Sequence, residues 1–108
     1  MLAMILATAL VTQEPVQAPA PMWRSRPVPE FPAKALMDGV EAADVRLDCL
    51  LTADGRFSDC QIVADTRPDY AFAQEALRAA QKASAAPREE NGVAVPGRVR
   101  FEIRFRLG

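Results

Sequence analysis

The most reactive side chains in this chain are two cysteines, Cys49 and Cys60. Their spacing is not C-x-x-C, and no helix N-terminus or histidine lies near either in sequence to lower a thiol pKa. A structural disulfide therefore suits them better than redox catalysis. The chain contains no histidine at all. That removes the commonest general base, the commonest metal ligand and the usual switch near neutral pH. Two cysteines alone cannot build a four-ligand zinc site. Asp48, Asp59 and Asp65 could be drawn as an acid-base set, but strand faces and turns are where solvated aspartates ordinarily sit. Neither an enzyme, nor a metal site, nor a cofactor is expected.

One other set has informative spacing. Arg98, Arg100, Arg104 and Arg106 alternate with Val99, Phe101, Ile103 and Phe105, and Glu102 completes the polar series. Guanidinium groups in a row could bind carboxylates or phosphates. Nucleic acid is disfavoured, because no exposed aromatics interleave with them. The whole chain carries 13 basic and 14 acidic residues, a net charge of −1, so there is no bulk attraction to an anionic polymer or membrane.

These residues need elements to position them, and 108 residues allow one domain at most. Residues 1–11 form an apolar run too short to span a bilayer, where roughly 20 residues are needed. The run matches a secretory h-region, and cleavage is expected after Ala18. No basic residue precedes it, so residues 1–18 read as a signal peptide or a truncated membrane anchor. Six of the nine prolines lie between Pro15 and Pro32. Residues 19–31 accordingly read as a proline-rich, polyproline-II linker, and residues 32–108 as the domain.

Pro32 can open a helix whose end is marked by Gly39, with Leu36 and Phe31 as its packing contacts. Val45, Leu47, Cys49 and Leu51 alternate as a strand, and Asp54-Gly55 is a hairpin signal before the return strand Phe57 to Ala64. A two-residue turn there sets Cys49 directly opposite Cys60, within disulfide range. A three-residue turn would make them diagonal. In an exported chain the pair is expected to be oxidised; two buried free thiols are the other reading. Asp69 is placed to cap a helix carrying Phe72, Ala73, Ala76, Leu77, Ala80 and Ala83 on one face, which Pro87 ends. The last strand follows, with Leu107 added to its core face. A right-handed crossover gives an α+β fold, a three-stranded antiparallel sheet of order 2-1-3 with the helices packed on one face. The last strand is then a sheet edge.

Arg26 to Leu107 resembles the C-terminal domain of TonB-type energy transducers. The matching residues are Pro27-x-Pro29-x-Phe31-Pro32-Ala33-x-Ala35, then Gly39-Val40-Glu41, Val45-x-Leu47-x-Cys49, Asp54-Gly55-Arg56 and Cys60-x-Ile62. The helix Ala71 to Ala83, Pro87, Asn91-Gly92, Val95 and Val99-x-Phe101-x-Ile103-x-Phe105 follow in order. Ala42 or Ala43 stands where the family usually has a glycine, and the family's membrane-helix histidine has no counterpart. The resemblance implies a periplasmic binding module of a Gram-negative bacterium. Its edge strand, Arg98, Val99, Arg100, Phe101, Glu102, Ile103, Arg104, Phe105 and Arg106, would pair with a peptide segment of an outer-membrane receptor. The arginines would favour an acidic neighbour. The competing expectation is a structural homodimer through the same edge.

Overall fold

The computed structural model describes residues 19–108. The signal-peptide or anchor reading of residues 1–18 lies outside the described residues. Among those described, no helix is long and apolar enough to cross a membrane.

The chain order is β1 (Met22–Ser25), α1 (Ala33–Met37), β2 (Ala42–Leu51), β3 (Phe57–Asp65), α2 (Phe72–Lys82), β4 (Ser84–Ala86), β5 (Arg88–Glu90), β6 (Val93–Val95) and β7 (Gly97–Arg106). The main sheet has the order β3-β2-β7, with both neighbours antiparallel to β2. This is the expected three-stranded arrangement. The alternation of β2 and β7 sends Val45, Leu47, Cys49, Val99, Phe101, Ile103 and Phe105 to one buried face. Helix α2 closes that face with Phe72, Ala76, Ala79 and Ala80. Three alanines let it approach β2 and β3 closely.

The stretch expected to be a linker is docked on the domain. Strand β1 pairs antiparallel with β4, matching Trp23 to Ala85. Two aromatic clusters tie the stretch down. The Trp23 ring lies 5.1 Å from Phe101 and 5.4 Å from Phe57. Further along, Phe31 lies 5.2 Å from Phe72 and 6.3 Å from Phe105. All but the tilted Trp23–Phe57 pair are edge-to-face, and such contacts add to the area that the rings bury. Proline content suggested a tether, but the aromatic residues between the prolines decide the outcome.

The hairpin differs from the expected two-residue turn. Leu51 pairs with Phe57, and the turn spans residues 52–56. Thr52 explains the longer turn: its N–H donates to the Arg56 carbonyl at 2.8 Å, and its Oγ1 accepts from the Arg56 N–H at 3.1 Å. The strands leave the turn one residue out of the expected register. A bulge at Asp59, where φ is 47°, then restores it. Cys49 and Cys60 therefore do meet, with Cα atoms 4.0 Å apart, and form a disulfide.

Smaller corrections follow the same pattern. Leu36 is exposed and Ala35 buried, so Phe31 anchors the first helix. Helix α2 ends at Lys82, because Ala83 turns extended and buries itself on the way into β4. Asp69 caps nothing: its carboxylate accepts from Arg67 at 3.3 and 3.2 Å, and Arg67 lies over the Tyr70 ring. Leu107 lies beyond β7 and is exposed.

Candidate interaction edge on strand β7

Strand β7 pairs with β2 without interruption, from Ala42↔Arg106 to Leu51↔Gly97. Among the described residues, no strand lies on its other side. Along an extended strand, the N–H and C=O of one residue point to the same edge, and those of the next residue to the opposite edge. Two hydrogen bonds identify the edges. The Leu107 N–H, just past the strand, donates to the Glu41 carbonyl at 3.1 Å, which is the β2 side. The Arg100 N–H donates away from β2, to the Pro19 carbonyl at 3.4 Å. Odd-numbered residues therefore point inward. Arg98, Arg100, Glu102, Arg104 and Arg106 present their backbone groups to the free edge. Spacing alone could not tell these two sets apart.

The main sheet has a second edge, β3, and the two differ. Strand β3 is broken by register shifts between Arg46 and Leu47 and between Asp48 and Leu50 of its partner. Bulges twist an edge away from regular pairing. Strand β7 has none over ten residues, so it is the better template for an added strand.

The side chains on the outer face of β7 are not free charges. Arg98 Nε donates to Asp48 Oδ1 at 2.7 Å, and Arg98 Nη1 donates to Asp59 at 3.1 Å. Arg100 Nε donates to Asp48 Oδ2 at 2.9 Å. Arg104 pairs with Glu102 at 2.9 Å, and Glu102 also meets Arg46 at 3.4 Å. Arg106 pairs with Asp44 at 2.8 Å. Each arginine that was expected to select an acidic partner already has a carboxylate of its own chain. The aspartates considered for acid-base work are spoken for as well. Asp48 and Asp59 hold arginines, and Asp65 Oδ1 accepts from the Arg67 N–H at 2.9 Å. No cluster of metal-ligand type occurs among the described residues.

Hydrogen bonds from Arg100 and then Arg98 hold the Asp48 carboxyl below its ordinary range. A depressed folded pKa stabilises the fold above the unfolded value, and that contribution is lost as pH falls through the folded pKa. Asp48→Asn is therefore expected to lower the melting temperature at pH 7, with the gap to the native chain closing below about pH 4. Thermal unfolding from pH 7 to 2.5 checks this. A gap of constant size would mean that the ion pairs contribute nothing.

Beside the middle of the edge lies a groove of about 260 Å³, lined by Trp23, Arg26, Pro27, Pro29, Glu102, Ile103 and Arg104. One wall is the docked N-terminal stretch and the other is β7. The sequence points to the strand but not to the wall, because Trp23 and the prolines read as a linker.

Comparisons with known proteins agree with the fold. The family model described as Gram-negative bacterial TonB protein C-terminal matches residues 27–107. Among solved structures, the solution NMR structure of the Pseudomonas aeruginosa TonB C-terminal domain is similar, with a TM-score of 0.65 and 25% sequence identity. The match covers 79% of this chain and 84% of that one. No curated protein sequence matches.

Proposed function

Because the chain belongs to the TonB C-terminal family, we propose that it is a periplasmic protein-binding module of TonB-dependent transport, pairing β7 with an extended peptide segment of an outer-membrane transport protein. The observation that carries this reading is the unbroken pairing of β7 with no strand on its far side among the described residues; its outward backbone groups belong to Arg98, Arg100, Glu102, Arg104 and Arg106, with the Arg100 N–H met by the Pro19 carbonyl. Strand addition draws affinity from main-chain hydrogen bonds and specificity from alternate side chains. The internal pairing of the arginines shifts the basis of recognition. Backbone and groove select the partner, and acidic character contributes little. No catalytic chemistry is required of such a module.

The test uses proline, which lacks an N–H and so cannot donate to a ladder. Arg100→Pro and Arg104→Pro place it on the outward set, and Val99→Pro places it on the inward set. Binding is measured against synthetic peptides covering the periplasm-facing N-terminal segments of outer-membrane transport proteins from the same organism. The two outward variants are expected to keep the native circular dichroism and lose at least about tenfold in affinity, or roughly 1.4 kcal/mol. Val99→Pro is expected to destabilise the fold by breaking the bond to β2. Outward variants that stay folded and bind fully would overturn strand addition at this edge. A dimer whose population does not change with concentration in sedimentation, and which is lost in the same variants, would instead favour self-association.

A further inference from the structure

The β7 edge is not equally open along its length. Its Arg100 N–H is taken by the carbonyl of Pro19, a residue of the same chain. Trp23, packed on Phe57 and Phe101, fixes the stretch that leads back to Pro19. Beyond this contact the groove opens against Glu102, Ile103 and Arg104. The edge is thus met by the chain itself at Arg100, while Glu102 and Arg104 face the groove.

The occupying residues make an incomplete strand. Pro19 and Pro21 have no N–H to donate, so in Pro19-Ala20-Pro21 only Ala20 does. Where such a segment is extended, the Ala20 N–H points to the side opposite the Pro19 carbonyl. The segment can accept a hydrogen bond from β7 but cannot return one. The bond it accepts is long, at 3.4 Å against the usual 2.9 to 3.0 Å. An incoming strand with ordinary N–H groups at alternate positions can both donate and accept, so it competes at an advantage.

We infer that Pro19-Ala20-Pro21 is a displaceable cover over the β7 edge at Arg100, yielding to an extended peptide that carries N–H groups where the cover carries prolines. A cover of this kind blunts the edge against chance pairing, the hazard of any regular free edge. Its meaning as a control on partner access rests on the proposed strand addition. Its existence does not, and the two are tested apart.

Amide hydrogen exchange in the full chain, without any partner, reads the cover directly. After correction for intrinsic rates, the Arg100 amide is expected to be about tenfold more protected than that of Arg104, while inward Phe101 is the most protected of the three. In a full chain carrying Pro19→Gly, Ala20→Gly and Pro21→Gly, the added backbone freedom disfavours the ordered cover. Arg100 is then expected to exchange as fast as Arg104, with Phe101 unchanged. A chain shortened to begin at Met22 serves as the second variant and is expected to behave the same way. Equal exchange of Arg100 and Arg104 in the native full chain would overturn the cover. So would Arg100 protection that survives in either variant while Phe101 reports an intact sheet. In the peptide assay the triple-glycine chain is expected to bind more tightly. Unchanged affinity, with the exchange results as expected, would show a cover that does not gate access and so overturn its regulatory role.

Discussion

Trp23→Ala is expected to cost the domain about 2–4 kcal/mol, somewhat less than the 3–5 kcal/mol typical of a fully buried tryptophan, because this ring is only half-buried. The ring contacts Phe57 and Phe101, which belong to the two outer strands of the main sheet. Removing it uncovers both rings, which lie 5.2 Å from each other, and strips the groove of one wall. Strand β1 would then be held on β4 by few backbone bonds, since its register is already broken between Trp23 and Ser25. Against a domain stability of about 5 to 15 kcal/mol, such a loss is large. Urea unfolding followed by far-ultraviolet circular dichroism measures it, because Trp23 is the only tryptophan and the variant loses its fluorescence signal. A midpoint shift equivalent to less than about 0.5 kcal/mol, the range of ordinary surface substitutions, would return residues 19–31 to the role of a plain linker. Trp23 also precedes residue 27, where the family match begins. The experiment therefore asks whether this chain extends the family core with a segment of its own.

Gly55→Ala should be similarly damaging, by about 2–4 kcal/mol, for two separate reasons. Gly55 has φ of +85°, where a side chain is strained, and a Cβ placed on it would lie 2.6 Å from the Ala85 carbonyl oxygen. That carbonyl cannot swing away cheaply. Its strand, β4, is held on one side by β1 and on the other by the Ala85 N–H donating to the Gly55 carbonyl at 3.0 Å. The hairpin tip thus docks on β4 through its own backbone. Gly39 provides the control. Its φ is +76°, but a Cβ there meets nothing within 4 Å. Gly39→Ala is expected to cost only the conformational penalty, about 1–2 kcal/mol. Comparable losses at the two sites, measured by the same urea titration, would mean that the close approach at Ala85 relaxes freely. A larger loss at Gly55 confirms that the tip is clamped.

What the sequence determined by itself was most of what depends on short-range periodicity. The alternation from Val99 to Phe105 is a property of neighbouring residues, and it assigned both the strand and its buried face. The same holds for β2, for the helix built on Phe72 and Ala76, and for the turn signals at Asp54-Gly55. The sheet order followed as well, because chain handedness leaves few ways to connect a hairpin, a helix and a strand. The pairing of Cys49 with Cys60 was also legible, though for an incomplete reason. The expected turn was two residues long, and the observed longer turn is offset by a bulge at Asp59.

Tertiary structure decided what depends on which surfaces meet. Prolines at 27 and 29 favour an extended chain whether it floats or docks; only the cavity edges offered by Phe57, Phe72, Phe101 and Phe105 make docking favourable. Local spacing likewise cannot tell which set of β7 amides faces β2, since shifting a ladder's phase leaves the side-chain alternation unchanged. Nor could it pair the arginines. Asp48 lies some fifty residues away from Arg98 in sequence and beside it in space, because a β2–β7 ladder brings them together. Charges that looked available for a partner are paired within the chain, while the backbone edge they decorate is met by Pro19 at Arg100 and faces the groove at Glu102 and Arg104. Long-range contacts set register, docking and ion pairing, and these in turn determine which part of the strand is exposed.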